Sequence, residues 1–173
     1  MSVKRPRLHW TWIASLIGLA VLAASSILFA NRQIVINTSP SVLSGLYLRS
    51  TAAPAVGRII DFRIPRAARN YIETRTGQDG EDWYILKPIA AGPGDRVDTT
   101  GSSLIINGRA IAPMPPDFDS TGRPLPVWRQ NCVLESDEFF VFSARIRNSF
   151  DSRCYGPIKR EQIDAVRKPL ITW

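Results

Sequence analysis

From Trp10 to Ala30 the sequence carries no charged side chain, and no other stretch limits the possible folds as strongly. An apolar run of roughly 20 residues forms a helix about 30 Å long, enough to cross the hydrocarbon of a bilayer. It offers no polar face to water, which argues against a core helix of a soluble domain. Lys4, Arg5 and Arg7 precede it. The positive-inside bias then holds residues 1–9 in the cytoplasm and sends residues 31–173 to the outer side. Trp10 and Trp12 suit the cytoplasmic interface, where an indole ring packs on lipid and its N–H stays wet. A cleaved signal peptide opens in the same way, and Ala24, Ser25 and Ala30 are small enough to attract a peptidase. The run is longer than a usual signal-peptide core and lacks a small-x-small site before Asn31. Residues 10–30 are therefore read as a retained, single-pass anchor in a bacterial cytoplasmic membrane.

The remainder of the 173 residues, in a chain 45% hydrophobic and 21% charged, has room for one domain with a modest core. A net charge of +7 raises nucleic acid as a partner, but the basic residues are scattered and form no stripe interleaved with stacking aromatics. Anionic lipid is the simpler partner for that charge.

Beyond Ile34 the pattern changes to short β-branched and aromatic runs separated by Gly, Pro and Asp, which reads as strands and turns. Strands are expected over Gly45–Arg49, Val56–Phe62 and Trp83–Ala91. Asn107-Gly108 between Ser103–Ile106 and Arg109–Ile111 predicts a tight hairpin. A helix is expected over Pro65–Thr76, stopped by Gly77, with a polar loop at Gln78–Asp82. Residues 112–127 read as a long surface loop. Cys132–Leu134 and Glu138–Ser143 read as a second strand pair, Arg160–Ala165 as a short helix, and the last residues as a strand. Phe139, Phe140 and Phe142 are expected in the core. The exported domain is mainly antiparallel β.

One exclusion narrows the chemistry. The only histidine, His9, precedes the anchor, so a Ser-His-Asp triad or a Cys-His pair cannot form in the exported domain. Two cysteines without histidine fall short of a usual zinc site, and no phosphate-binding loop is present. Neither a metal nor a cofactor is expected. The general base left is a lysine, whose ordinary pKa of about 10.4 must fall by burial. Lys87 has the neighbours for it: on a strand, Ile85, Lys87 and Ile89 share one face. Pro88 removes the next backbone donor and marks an edge or a bulge, where another peptide could pair. Taken alone, Lys87 also reads as a strand-end lysine reaching solvent, and Ser41 as a turn serine after Pro40.

Asn37-Thr38-Ser39-Pro40-Ser41-Val42-Leu43-Ser44-Gly45-Leu46-Tyr47 resembles the nucleophile motif of type I signal peptidases, on the TraF-like branch that serves conjugative transfer. Leu86-Lys87-Pro88-Ile89-Ala90-Ala91-Gly92-Pro93-Gly94-Asp95 resembles the lysine motif of that family, and Ser149-Phe150-Asp151-Ser152-Arg153-Cys154-Tyr155-Gly156-Pro157-Ile158 its third motif. The three stand in the family's order behind an anchor. The resemblance implies Ser41 as nucleophile and Lys87 as general base. It implies Ser39 and the Ser41 N–H as the oxyanion hole, Ser149 as the residue that orients the amine, and Asp151 and Arg153 as a brace. Asp95 is expected to fix the Pro-Gly-Asp turn. Leu43 departs from the family, which commonly has proline there. For Cys132 and Cys154, in an oxidising compartment, two readings stand: a disulfide, or two reduced core thiols.

The resemblance implies a membrane-anchored serine endopeptidase that binds exported precursor polypeptides as an extended strand and cleaves after small residues. The TraF-like wording points to pilin or other conjugation and type IV secretion precursors. The alternatives are a housekeeping signal peptidase and a non-enzymatic, anchored β-domain of an envelope complex.

Overall fold

The computed structural model describes residues 8–77, 83–119 and 121–173. Residues 1–7, with Lys4, Arg5 and Arg7, and the polar loop expected at Gln78–Asp82 lie outside the described residues. The chain divides into two compact units, Met1–Val35 and Ile36–Trp173.

In the first unit, α1 (Leu8–Ala30) is a single helix whose Trp12–Ala30 stretch is long and apolar enough to cross a membrane. At 1.5 Å per residue, a helix of 23 residues is about 34 Å long. Near its end, Ser25 Oγ donates to the Val21 carbonyl at 2.8 Å and Ser26 Oγ to the Leu22 carbonyl at 2.9 Å. A hydroxyl satisfied within its own helix costs little in lipid.

The second unit is built on a seven-stranded sheet and a four-stranded sheet. The strands are β1 (Ile34–Asn37), β2 (Gly45–Ser50), β3 (Ile59–Arg63), β4 (Tyr84–Ala91), β5 (Arg96–Asp98), β6 (Ser103–Ile106), β7 (Arg109–Pro113), β8 (Asn131–Val133), β9 (Glu138–Val141), β10 (Ile158–Lys159) and β11 (Ile163–Thr172). The large sheet runs β1-β2-β11-β3-β4-β9-β10 and the small one β7-β6-β5-β8. The pairings β2–β11, β11–β3, β3–β4, β4–β9 and β9–β10 are antiparallel, as are those of the small sheet. The expected β class is the observed one.

Local chemistry explains the boundaries. Val56–Arg58 is not strand, because Arg58 N–H closes a turn onto the Ala55 carbonyl. Asn107 and Gly108, with φ of 50° and 78°, form the expected hairpin. α2 (Arg66–Thr76) starts after Pro65 and ends on Gly77 in the left-handed conformation. Gly45 is required by close approach: a Cβ there would run into the Ile171 carbonyl of β11.

Two expectations are corrected. The helix over Arg160–Ala165 shrinks to one 3₁₀ turn at Arg160–Gln162. Gln162 Oε1 accepts the Lys159 N–H at 2.7 Å, and from Ile163 the chain pairs with β3, burying Ala165 and Val166. The segments at Cys132 and Glu138 are not partners. β8 joins β5 in the small sheet, whereas β9 joins β4 and β10 in the large one.

Two apolar clusters follow from this division. One holds Ile60, Phe62, Ile64, Ile89, Phe139, Val141 and Ile158. The other holds Val97, Leu104, Leu134, Phe140 and Phe142. Successive residues of β9 thus face different clusters, and the three phenylalanines are core.

Candidate active site

Asn37 ends β1 and is buried. Its amide nitrogen donates to the carbonyls of Ser39, Val42 and Leu43 at 2.8, 3.2 and 3.0 Å, and its Oδ1 accepts the Ser39 N–H at 3.2 Å. One asparagine therefore closes the loop that carries Ser39 and Ser41. Tyr47 Oη adds a donor to the Leu43 carbonyl at 2.7 Å. The turn is held at Leu43 by its carbonyl, so no proline ring is needed there, and the Leu43 side chain faces outward at 45% exposure.

Within the loop, Ser41 is 1% exposed. Its Oγ lies 2.9 Å from Ser39 Oγ, and its N–H approaches the same oxygen at 3.5 Å. Among the described residues, no hydrogen bond joins Ser41 to Lys87.

Lys87 lies on β4, whose register puts Phe62 opposite Ile85 and Ile60 opposite Lys87. The Ile64 N–H donates to the Trp83 carbonyl, so the main-chain groups of Ile85 and Lys87 face β3 and those of Tyr84 and Leu86 face away. β9 joins the other side of β4 only at Ile89. Pro88 sits at this change, where its missing N–H would have pointed outward, and its carbonyl accepts the Phe142 N–H. The expected edge exists, but only for the part of β4 before Pro88.

The lysine is 3% exposed, and its amine donates to Ser149 Oγ at 3.0 Å. Burial lowers its pKa from 10.5 to about 8, because removing water penalises the ammonium; Asp151 and Cys154 oppose the shift, and Arg153 adds to it. An amine in this range is partly neutral near physiological pH and can accept a proton.

Behind the lysine stand Asp151 and Arg153, 0% and 2% exposed. Arg153 Nε and one terminal nitrogen reach the two oxygens of Asp151 at 2.9 and 3.0 Å. The other terminal nitrogen donates to the Pro113 carbonyl at 2.8 Å, and the guanidinium lies 4.7 Å from the Phe142 ring centroid. Asp151 also caps α3 (Ser152–Tyr155) through the Arg153 N–H. The pair thus joins the third motif to both sheets. Asp95 accepts from the Gly92 N–H and from Asn107, each at 2.8 Å, and so closes the Pro-Gly-Asp turn as expected.

A cleft of about 560 Å³ has Ile36–Pro40 on one wall and Trp83–Lys87 on the other, with Tyr71 and Phe150 stacked at 4.9 Å along it. Ser39 and Lys87 both line it. Ser41 lies behind Ser39 rather than on the wall. Asn37, Ser143 and Arg145 are the residues without an assigned role in the sequence reading. Ser143 Oγ donates to the Ser41 carbonyl, and Arg145 Nε donates to the Pro40 carbonyl at 3.3 Å. Asn37 had a signal, since an asparagine two residues before a turn serine favours an Asx turn. The other two are brought in by the large sheet and had none.

The disulfide alternative is corrected: Cys132 and Cys154 are free thiols. Cys132 sits on β8 of the small sheet, whereas Cys154 is buried in the cluster of the large sheet. Burial pushes the Cys154 thiol up to about 12.

The family model described as signal peptidase, peptidase S26 matches residues 7–173. Two plasmid transfer proteins TraF of Escherichia coli are similar to this chain. One is 33% identical over 147 residues, covering 80% of this chain and 82% of that protein. The other is 31% identical over 165 residues, covering 90% and 92%. Among solved structures, a signal peptidase I of Enterococcus faecalis aligns with a TM-score of 0.38 at 21% identity, over 68% of this chain and 98% of that one. With a family match along nearly its whole length and relatives above 30% identity over most of both sequences, the chain belongs to the signal peptidase family, peptidase S26.

Proposed function

We propose that this peptidase is a membrane-anchored serine endopeptidase with a Ser41/Lys87 dyad, acting on exported precursor polypeptides at the outer face of a bacterial cytoplasmic membrane. The observation that carries the reading is Lys87: a buried amine, held by Ser149, with a pKa of about 8, lining the same cleft as Ser39. A solvent-reaching lysine would have none of these features.

The substrate lies in the cleft as an extended chain, where the outward main-chain groups of Tyr84 and Leu86 pair with it. Its binding draws Ser41 Oγ from Ser39 toward the Lys87 amine. The same movement frees the Ser39 hydroxyl to join the Ser41 N–H around the developing oxyanion, where each such donor contributes about 2.7–4 kcal/mol. Ser41 Oγ bonds to the scissile carbonyl as its proton passes to Lys87 Nζ. The resulting ammonium protonates the leaving amine, and the C–N bond breaks. Water, deprotonated by the neutral lysine, then hydrolyses the acyl-enzyme and releases a carboxylate.

The TraF relatives are named for plasmid transfer, which favours precursors of a conjugation or type IV secretion apparatus, a pilin among them, over a housekeeping role. Co-expression of a pilin precursor with wild type, Ser41→Ala and Lys87→Ala tests the dyad. Only the wild type should process it, and processing by both variants refutes the reading. Complementation of a housekeeping peptidase deletion would count against specialisation.

A further inference from the structure

We propose that Ser143 and Arg145 clamp the two peptide units flanking Ser41, and that Arg145 strengthens the Ser41 N–H as an oxyanion donor. This rests on the reading of Ser41 as the nucleophile.

A residue's φ and ψ express how the peptide planes on either side of its Cα are turned. At Ser41 both planes are held by their carbonyls. Ser143 Oγ donates to the Ser41 carbonyl, and Arg145 Nε donates to the Pro40 carbonyl at 3.3 Å. Both donors belong to one tripeptide, Ser143-Ala144-Arg145, which follows β9. Within it the Arg145 N–H donates to Ser143 Oγ at 3.3 Å, so the hydroxyl accepts from its own segment and gives its proton to Ser41. The Ser143 N–H reaches Asp151 Oδ2 at 3.4 Å, which ties the tripeptide to the buried Asp151–Arg153 pair. That pair therefore braces the nucleophile loop as well as the lysine.

The Pro40 carbonyl and the Ser41 N–H are opposite ends of one planar amide. A guanidinium at the oxygen draws electron density along the amide and leaves the N–H a better donor. The Ser41 N–H is the group that meets negative charge as the tetrahedral intermediate forms. Arg145 thus supplies positive charge to the transition state through a peptide bond, without touching substrate. Ser143 is buried and Arg145 is exposed, so their roles separate: one fixes the plane and the other polarises it. Both are positioning residues.

The test uses the full chain in detergent, with an internally quenched peptide that presents alanines at the cleavage site, and compares Arg145→Ala, Arg145→Gln, Arg145→Lys and Ser143→Ala with wild type and Ser41→Ala. Arg145→Ala should lower kcat about tenfold with KM unchanged, the loss of one charge-assisted hydrogen bond. Arg145→Lys should recover more rate than Arg145→Gln, because it keeps the charge. Ser143→Ala should also lower kcat. In parallel, the Ser41 amide proton should move upfield in Arg145→Ala and Arg145→Gln, and less in Arg145→Lys, at unchanged Tm. Wild-type kcat in Arg145→Ala, equal losses in Arg145→Lys and Arg145→Gln, or an unmoved amide proton overturns the clamp. If wild type and Ser41→Ala treat the peptide alike, the nucleophile assignment fails by itself; the amide shift then decides the clamp alone.

Discussion

On the proposed Ser41/Lys87 dyad, the rate of this peptidase should rise with pH through about 8, because Lys87 would have to lose a proton before it could take one from Ser41. With a pKa of about 8, about 10% of the amine is neutral at pH 7 and about 90% at pH 9, so kcat/KM gains nearly tenfold over that interval. The cause is burial: lowering the amine from 10.5 to about 8 corresponds to about 3 kcal/mol lost by the ammonium on leaving water. The same shift acts on stability. Below pH 8 both folded and unfolded chains hold the proton, and the folded state bears the full desolvation cost. Between pH 8 and 10.5 the folded amine releases its proton while the unfolded one keeps it, so stability rises across that window. Lys87→Met, apolar and similar in length, should abolish cleavage and stabilise the fold at pH 7 by on the order of 2 kcal/mol, with Ser149 left to find another partner. The assay is kcat/KM on the quenched peptide from pH 6 to 10, alongside denaturant unfolding of wild type and Lys87→Met at pH 7 and 10. A flat pH profile, or a Lys87→Met protein less stable than wild type at pH 7, would refute this account of the lysine.

Three further outcomes are expected. Asp61→Ala takes from the buried Arg167 side chain the carboxylate that it bonds at 2.9 and 2.8 Å; unfolding should show a loss of about 3 kcal/mol. Gly45→Ala drives a methyl into the Ile171 carbonyl and parts β2 from β11; the Tm should fall by more than about 3 °C, roughly the effect of 1 kcal/mol in a domain this size. Alkylation of the native protein without reductant should label Cys132, half-buried, well before Cys154, whose thiol is buried and pushed up to about 12; a mass showing neither thiol reactive after unfolding would mean a disulfide.

Much of this molecule is local in origin and was legible in residue order. The long apolar helix follows from composition alone, the hairpin from Asn107-Gly108, and the stop of α2 from Gly77. The depressed lysine was also foreseeable, since alternation along β4 places Lys87 between Ile85 and Ile89. What misled was partnership. Cys132–Leu134 and Glu138–Ser143 each have strand character, but nothing local says that they enter different sheets. Arg160–Ala165 lacks helix breakers, yet the energy that decided it came from pairing with β3 and burying Ala165 and Val166.

The site divides the same way. Residue types and order along the chain determined which chemistries were open: no histidine beyond the apolar helix, a serine in a turn, a lysine on an apolar strand. Whether those groups meet is a long-range matter. Lys87 reaches Ser149 across 62 positions, and Ser143 reaches the Ser41 carbonyl across 102. Contacts of such separation depend on strand order in the large sheet, which side-chain patterns constrain only weakly, because many pairings would bury the same apolar faces. The sequence therefore determined the apolar N-terminal helix, the β class and the candidate groups. The tertiary structure alone decided that the amine is desolvated against Ser149, that the two cysteines lie apart, and that both carbonyls flanking Ser41 are held by a single tripeptide.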